Sequence, residues 1–166
     1  MPLLKHGTVV GDPWVHVADD AGLPAAGPVI VGLDRWLAHR RELIARGHVG
    51  LLLRGDETPE TVAPDLDRFP VVALDFATFM DGRSYSNARL LRDRYGYSGE
   101  LRAVGEVLRD QYAFMLGCGF DAFEVGEGDT AEDWQASGRA IRVTYQGGLA
   151  RGAAAMQLRH GSAVGA

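Results

Sequence analysis

Val49-Gly50-Leu51-Leu52-Leu53 and Val71-Val72-Ala73-Leu74 are unbroken apolar runs of five and four residues. Neither alternates, as a strand with one wet face would. Strands buried on both faces read this way, and they belong to parallel sheets whose crossover connections are helices. Working outward, Val29-Ile30-Val31, Leu101-Arg102-Ala103-Val104 and Ala122-Phe123-Glu124-Val125 extend the series. The runs begin near residues 29, 49, 71, 101 and 122, so successive starts are 20, 22, 30 and 21 residues apart. That is the length of a βα unit, and the pattern predicts an α/β fold: a mostly parallel open sheet of about five βα units. Five units are too few for an eight-stranded barrel.

The connections carry helix signals. Asp34 is placed to cap a helix with Trp36, Leu37, Leu43 and Ile44, and Gly47 stands where a left-handed cap belongs. Ser84 precedes a second helix with Ala88, Leu91 and Tyr95 at inward spacing, closed by Gly96. A third is expected from about Val107 to Leu116, and Thr130-Ala-Glu-Asp133 reads as a capping box opening a fourth. Pro64 breaks the segment from Thr58 to Phe69 into two short turns. Ahead of the units, residues 1–27 read as a β-hairpin preface, with Leu3-Leu4, Thr8-Val9-Val10 and Trp14-Val15-His16-Val17 divided by Gly7 and Gly11-Asp12-Pro13. The expected organisation is one α/β domain over 1–146 and a flexible Gly/Ala-rich tail over 147–166.

Composition narrows the function classes. The 166 residues hold 17 Lys+Arg against 22 Asp+Glu, a net charge of −5, which disfavours nucleic acid as a partner. A single cysteine, Cys118, permits no internal disulfide and no Cys-rich metal site, and it reads as a buried packing residue. No apolar stretch approaches the length needed to span a bilayer, and no signal-like start is present. The expected setting is therefore the cytoplasm, with neither membrane nor nucleic acid as partner. No GxGxxG or GxxxxGK[ST] loop follows a strand, no HExxH is present, and no cofactor is encoded by a recognisable motif.

In an open α/β sheet the polar groups beyond the carboxyl ends of the strands are the candidates for chemistry. The richest connection is Asp75 to Ser84, where Gly82, Arg83 and Ser84 lead into a helix and suit a small anion. Arg102 sits inside an apolar run, so it needs an acidic or anionic partner: Glu100, Asp110, Asp121 or a ligand. The anion-binding candidates are thus Arg83, Arg102, Gly82 and Ser84, with Asp81 and Asp110 as candidates for moving a proton. A divalent cation on Asp75, Asp81 and Glu124 is the weaker reading, and no metal site is assigned. Tyr95-Gly96-Tyr97 is a candidate docking patch.

The stretch Phe79-Met-Asp-Gly-Arg-Ser-Tyr-Ser-Asn-Ala-Arg-Leu-Leu-Arg-Asp-Arg-Tyr-Gly-Tyr, followed by Gly99-Glu-Leu-Arg-Ala-Val-Gly-Glu-Val-Leu-Arg-Asp-Gln and Cys118-Gly-Phe-Asp-Ala-Phe-Glu, resembles a bacterial family of unknown function. Members of that family are typically encoded beside assimilatory sulfite reductase and described as oxidoreductases of sulfite reduction. The resemblance covers about residues 1–146, and it brings no established catalytic residues with it. It implies an accessory protein of sulfur assimilation that binds a small anion or docks on sulfite reductase. Two alternatives stay open beside it: an enzyme, such as a small oxidoreductase, acting on an anionic substrate, and a purely structural interaction module. Homo-oligomer formation stays open as well.

Overall fold

The structure, a computed structural model, describes residues 2–78 and 82–137. A tight β-hairpin comes first, β1 (Leu3–Lys5) and β2 (Thr8–Val10), turned by His6 and Gly7 at positive φ. Then follow β3 (Val15–Val17), β4 (Val29–Gly32), α1 (Leu33–Arg46), β5 (Val49–Leu53), β6 (Val71–Phe76), α2 (Arg83–Arg89), β7 (Glu100–Gly105), α3 (Tyr112–Cys118) and β8 (Ala122–Glu124). A further helix runs over 131–137.

The eight strands form one mixed sheet in the order β2-β1-β8-β7-β6-β5-β4-β3. Strands β3 to β8 are parallel and stand in chain order, while β1 is antiparallel to both its neighbours. The α/β class and the mostly parallel sheet agree with the apolar runs. Two features differ. The segment Val15–Val17 is no part of the hairpin preface; it is a parallel strand on β4, at the opposite edge of the sheet from β2. The sheet is also curled, not flat. His16 on β3 and Glu124 on β8 lie five strands apart, about 24 Å in a flat sheet, yet their side chains meet at 2.6 Å.

The curl follows from the winding order. When each parallel strand is laid beside the last by a right-handed crossover, the connections fall on the same face of the sheet. The core shows this. Val31, Leu51, Val72, Leu74, Ala103 and Phe123 point to the convex face and join the helix residues Trp36, Leu43, Leu91, Met115 and Trp134. The other residues of each strand, Ile30, Val71, Ala73 and Val104, line a concave face that Trp14 and Leu52 help to fill. Gly50 is part of that fit, because a Cβ there would lie 3.3 Å from the Trp14 indole and 3.0 Å from Ile30.

Helix boundaries differ in informative ways. Gly32, not Asp34, is the N-cap of α1, and Asp34 lies in the first turn. Gly47 closes α1 with φ +70°, its N–H donating to Leu43 O. Ser84 does not precede α2 but lies within it, buried, donating its hydroxyl to Asp75 O at 2.6 Å. The segment Pro59–Arg68 is 3-10 helix, the tighter winding that accommodates Pro64. The third helix starts later than expected, at Tyr112, after a 3-10 turn over Arg109–Gln111. The Thr130 capping box is formed in both directions: Asp133 N–H donates to Thr130 Oγ1, and the Thr130 N–H and hydroxyl donate to Asp133 Oδ2. No helix among the described residues is long and apolar enough to cross a membrane. The expected tail over 147–166 lies outside the described residues.

Candidate functional site

Period-two alternation along β7 sends Leu101 and Ala103 to the helix side and Glu100, Arg102 and Val104 into the concavity. Arg102 is there 0% exposed. Its Nη1 and Nη2 donate to Asp12 at 2.6 and 3.2 Å, its Nε donates to Glu100 at 2.9 Å, and Nη1 also reaches Glu124 at 3.3 Å. Two more side chains extend the network, Lys5 on Glu100 and His16 on Glu124, each at 2.6 Å. Three carboxylates therefore face Arg102, Lys5 and His16 inside the curled sheet. Burial opposes the charge on Arg102, but the hydrogen bonds of Asp12 and Glu100 raise its pKa above the ordinary value. Burial likewise pushes the Glu124 carboxyl up, and His16 together with Arg102 outweighs it, so the carboxyl ends below the ordinary value. His16 is the partly exposed end of this chain of contacts.

The second place of interest is the rim beyond the carboxyl ends of the parallel strands. Gly82 and Arg83 are exposed there, at the start of α2. Ser84 ties that helix start to the end of β6 through Asp75 O. Gly105, at φ +87°, permits a close approach: a Cβ would stand 2.6 Å from both Asp75 Oδ1 and Phe76 O. Further along the rim Arg54 bridges Asp19 at 3.1 Å and Glu57 at 3.5 Å.

Of the residues selected from sequence, Arg83, Gly82 and Ser84 share this rim, and Asp81 lies outside the described residues. Arg102 is elsewhere. It pairs across from Ala73, three residues before the end of β6, so it sits about 10 Å below the rim and points into the concavity. Its partners include Glu100 from the expected set; Asp121 instead pairs with Arg92 at 3.0 Å, and Asp110 is exposed on the turn before α3. Asp12 and His16 carried no local signal. Among the described residues no group of three or more His, Cys, Asp or Glu side chains is arranged to hold a metal ion.

An aromatic strip descends from the rim on the convex side. Phe76, at the end of β6, packs on Tyr85 of α2 at 5.0 Å, and Tyr85 meets Phe114 of α3 edge-on at 5.0 Å. Phe114 is 55% exposed although α3 buries Tyr112, Met115 and Cys118. The Tyr95-Gly96-Tyr97 patch is not a comparable surface. Tyr97 is buried, its hydroxyl donates to Phe69 O at 2.9 Å, and burial pushes its phenol far above the ordinary pKa.

The chain belongs to DUF934, a family of bacterial proteins of unknown function. The family matches residues 50–156, well over half of the chain. No curated protein matches it. The DUF934 match takes in the rim at Gly82–Ser84, the aromatic strip and three members of the buried network, Glu100, Arg102 and Glu124. Lys5, Asp12 and His16 come from the part that precedes it.

Proposed function

We propose that this DUF934 protein is an accessory protein of assimilatory sulfite reduction that docks on the reductase and carries no redox group of its own. The half-exposed Phe114 carries the docking part. A phenylalanine left 55% exposed on a helix that buries Tyr112, Met115 and Cys118, two positions before the 44% exposed Leu116, presents apolar area that a partner surface can cover. Tyr85 of α2 backs it directly and Phe76 of β6 backs Tyr85, so little side-chain freedom is lost on binding. The link to sulfite reduction rests on the resemblance of the 79–124 region to proteins encoded beside that enzyme. The absence of a redox group rests on one cysteine and on the lack of a dinucleotide loop in the sequence. The interior agrees with a partner role, since Arg102 has its donors spent on carboxylates.

Immobilised sulfite reductase titrated with the full chain tests the reading. Saturable binding is expected, weakened about tenfold by Phe114→Ser, the equivalent of about 1.4 kcal/mol of lost apolar burial. Absence of binding at tens of micromolar, or equal affinity for the variant, would refute it. A second reading is favoured by the exposed Gly82 and Arg83 on the ligand-binding side of the sheet: a small anion held at the rim, in an enzyme with Asp81 or Asp110 moving a proton, or in the accessory protein itself. Thermal shift with sulfite, sulfate, phosphate and thiosulfate separates this from docking, because a bound anion raises the midpoint and Arg83→Ala abolishes the rise.

A further inference from the structure

Helix α3 carries no charged side chain: Tyr112-Ala-Phe-Met-Leu-Gly-Cys118 is apolar around its whole circumference. A helix of that composition is normally covered on every side, and here Tyr112, Met115 and Cys118 account for the inward side only. The period of 3.6 orders the other four positions around the outward side as Phe114, Gly117, Ala113 and Leu116. The outermost line is therefore the small pair Ala113 and Gly117, and the two large residues flank it, Phe114 55% and Leu116 44% exposed. Space above that line is open, since a Cβ added at Gly117 would find no neighbouring atom within 4 Å beyond the backbone of its own helix. The result is a shallow apolar trough about 10 Å long, the length of seven helical residues. One wall of the trough is charged by α2. Tyr85 packs on Phe114 at 5.0 Å, and Arg92 Nε donates to Gly119 O at 2.9 Å just past the end of α3, so the flank of α2 that starts at Tyr85 lies along the Phe114 wall. Arg89 sits between these two contacts, one helical turn after Tyr85, and is exposed. Arg92 and Arg94 are spent on Asp121 and Glu60, whereas Arg89 forms no ion pair among the described residues.

We propose that the trough of α3 receives an amphipathic helix of the partner protein, its apolar stripe laid over Ala113 and Gly117 between Phe114 and Leu116, with an acidic side chain turned toward Arg89. The inference rests on the reading that the face around Phe114 docks on a partner, and it supplies the chemistry of that partner. Shape selects a helix: a floor of small residues between two large walls takes the ridge of side chains along another helix and lets the two backbones approach closely. Charge selects the acid. In a chain of net charge −5, an unpaired cation beside an apolar trough marks the place where an acidic group is attracted while the rest of the surface repels it.

Gly117→Leu separates a trough from a mere apolar patch, because it adds apolar area and helix propensity while filling the floor. Its thermal midpoint is expected at or above that of the wild type, and Arg89→Glu, on the surface, leaves the midpoint nearly unchanged. On immobilised sulfite reductase each variant of the full chain is expected to bind about tenfold more weakly than the wild type. Affinity equal to the wild type in either folded variant would overturn the proposal and leave the docking reading in place. If the reductase does not bind the wild type, the docking reading fails, and two designed helical peptides decide the trough by themselves: both carry leucine along one stripe, one with glutamate and the other with lysine along the neighbouring flank. Preference of the wild type for the glutamate peptide, lost in Gly117→Leu and reversed in Arg89→Glu, supports the proposal. Equal binding of the two peptides, or binding of neither, would overturn it, as would self-association of the chain that Gly117→Leu abolishes, which would put a second copy in the trough.

Discussion

Arg102→Leu removes a fully buried guanidinium and leaves Asp12, Glu100 and Glu124 facing an apolar side chain of smaller volume. Lys5 and His16 remain, each holding one of these acids from the more exposed side, so Glu100 and Glu124 keep one partner while Asp12 loses both its contacts to Arg102. Breaking a buried pair by removing one partner costs about 3–5 kcal/mol. With a urea slope of about 2 kcal/mol/M for a chain of this size, the unfolding midpoint falls by about 1.5–2.5 M. The pH dependence separates an electrostatic cause from a packing one. Carboxylates stripped of their cation titrate higher in the folded variant, so acid neutralises them and the deficit against wild type shrinks from pH 7 to pH 5. Asp12→Asn in the Arg102→Leu background removes the most exposed casualty of the change and is expected to recover part of the loss at pH 7. Urea unfolding followed by tryptophan fluorescence, at both pH values, is sufficient, since Trp14 lies in the same concavity. A deficit below about 1 kcal/mol, or one that is equal at pH 5 and pH 7, would refute the reasoning.

Gly105→Ala combines φ +87° with a Cβ only 2.6 Å from Asp75 Oδ1 and Phe76 O, and a loss of about 2 kcal/mol is expected in thermal or urea unfolding, because the Phe76 carbonyl is backbone and cannot give way without moving β6. Glu124 has its folded pKa below the ordinary value, so its contribution is present above the unfolded pKa and is lost as pH falls through the folded one. Glu124→Gln therefore flattens the stability profile on the acid side of pH 5, and an unchanged acid limb would contradict the assigned role. Thr130→Ala removes the hydroxyl half of the capping box, leaving the residue 130 N–H to Asp133 contact, and is expected to cost about 1 kcal/mol, seen as faster amide exchange over 131–137.

The strands over 49–53, 71–76, 100–105 and 122–124 were legible because each is covered by side chains on both faces, and that demand is written locally as an unbroken apolar run. The curl was written more faintly. Along the concave face Gly50, Ala73 and Ala122 are small, while Leu51, Val72 and Phe123 beside them on the convex face are large. A sheet with little volume on one side closes toward that side until the gap is filled, here by Trp14 and by the Arg102 network. Reading the two faces separately would have favoured the curled sheet. The misplacement of Val15–Val17 has a similar origin. Its partner β4 is supplied across residues 18–28, a connection without a helix, so nothing local distinguished a parallel strand from the third strand of a hairpin meander.

The buried network was legible only in part, for a reason of distance along the chain. An arginine within an apolar run demands an anion, and the period of two finds Glu100 on the same face, two residues away. Asp12 is 90 residues from Arg102, and His16 is 108 from Glu124. No local pattern encodes such contacts; they exist because the winding order brings the first and last parallel strands together. The consequence reaches the family assignment. Residues 50–156 hold Glu100, Arg102 and Glu124, and the side chains that complete the network, Lys5, Asp12 and His16, come from the segment before residue 17. The matched region taken alone would leave Arg102 without Asp12, Glu100 without Lys5 and Glu124 without His16. In this chain the hairpin, Asp12 and β3 are therefore part of the electrostatic unit that the matched region requires, and they are not a detachable preface to it.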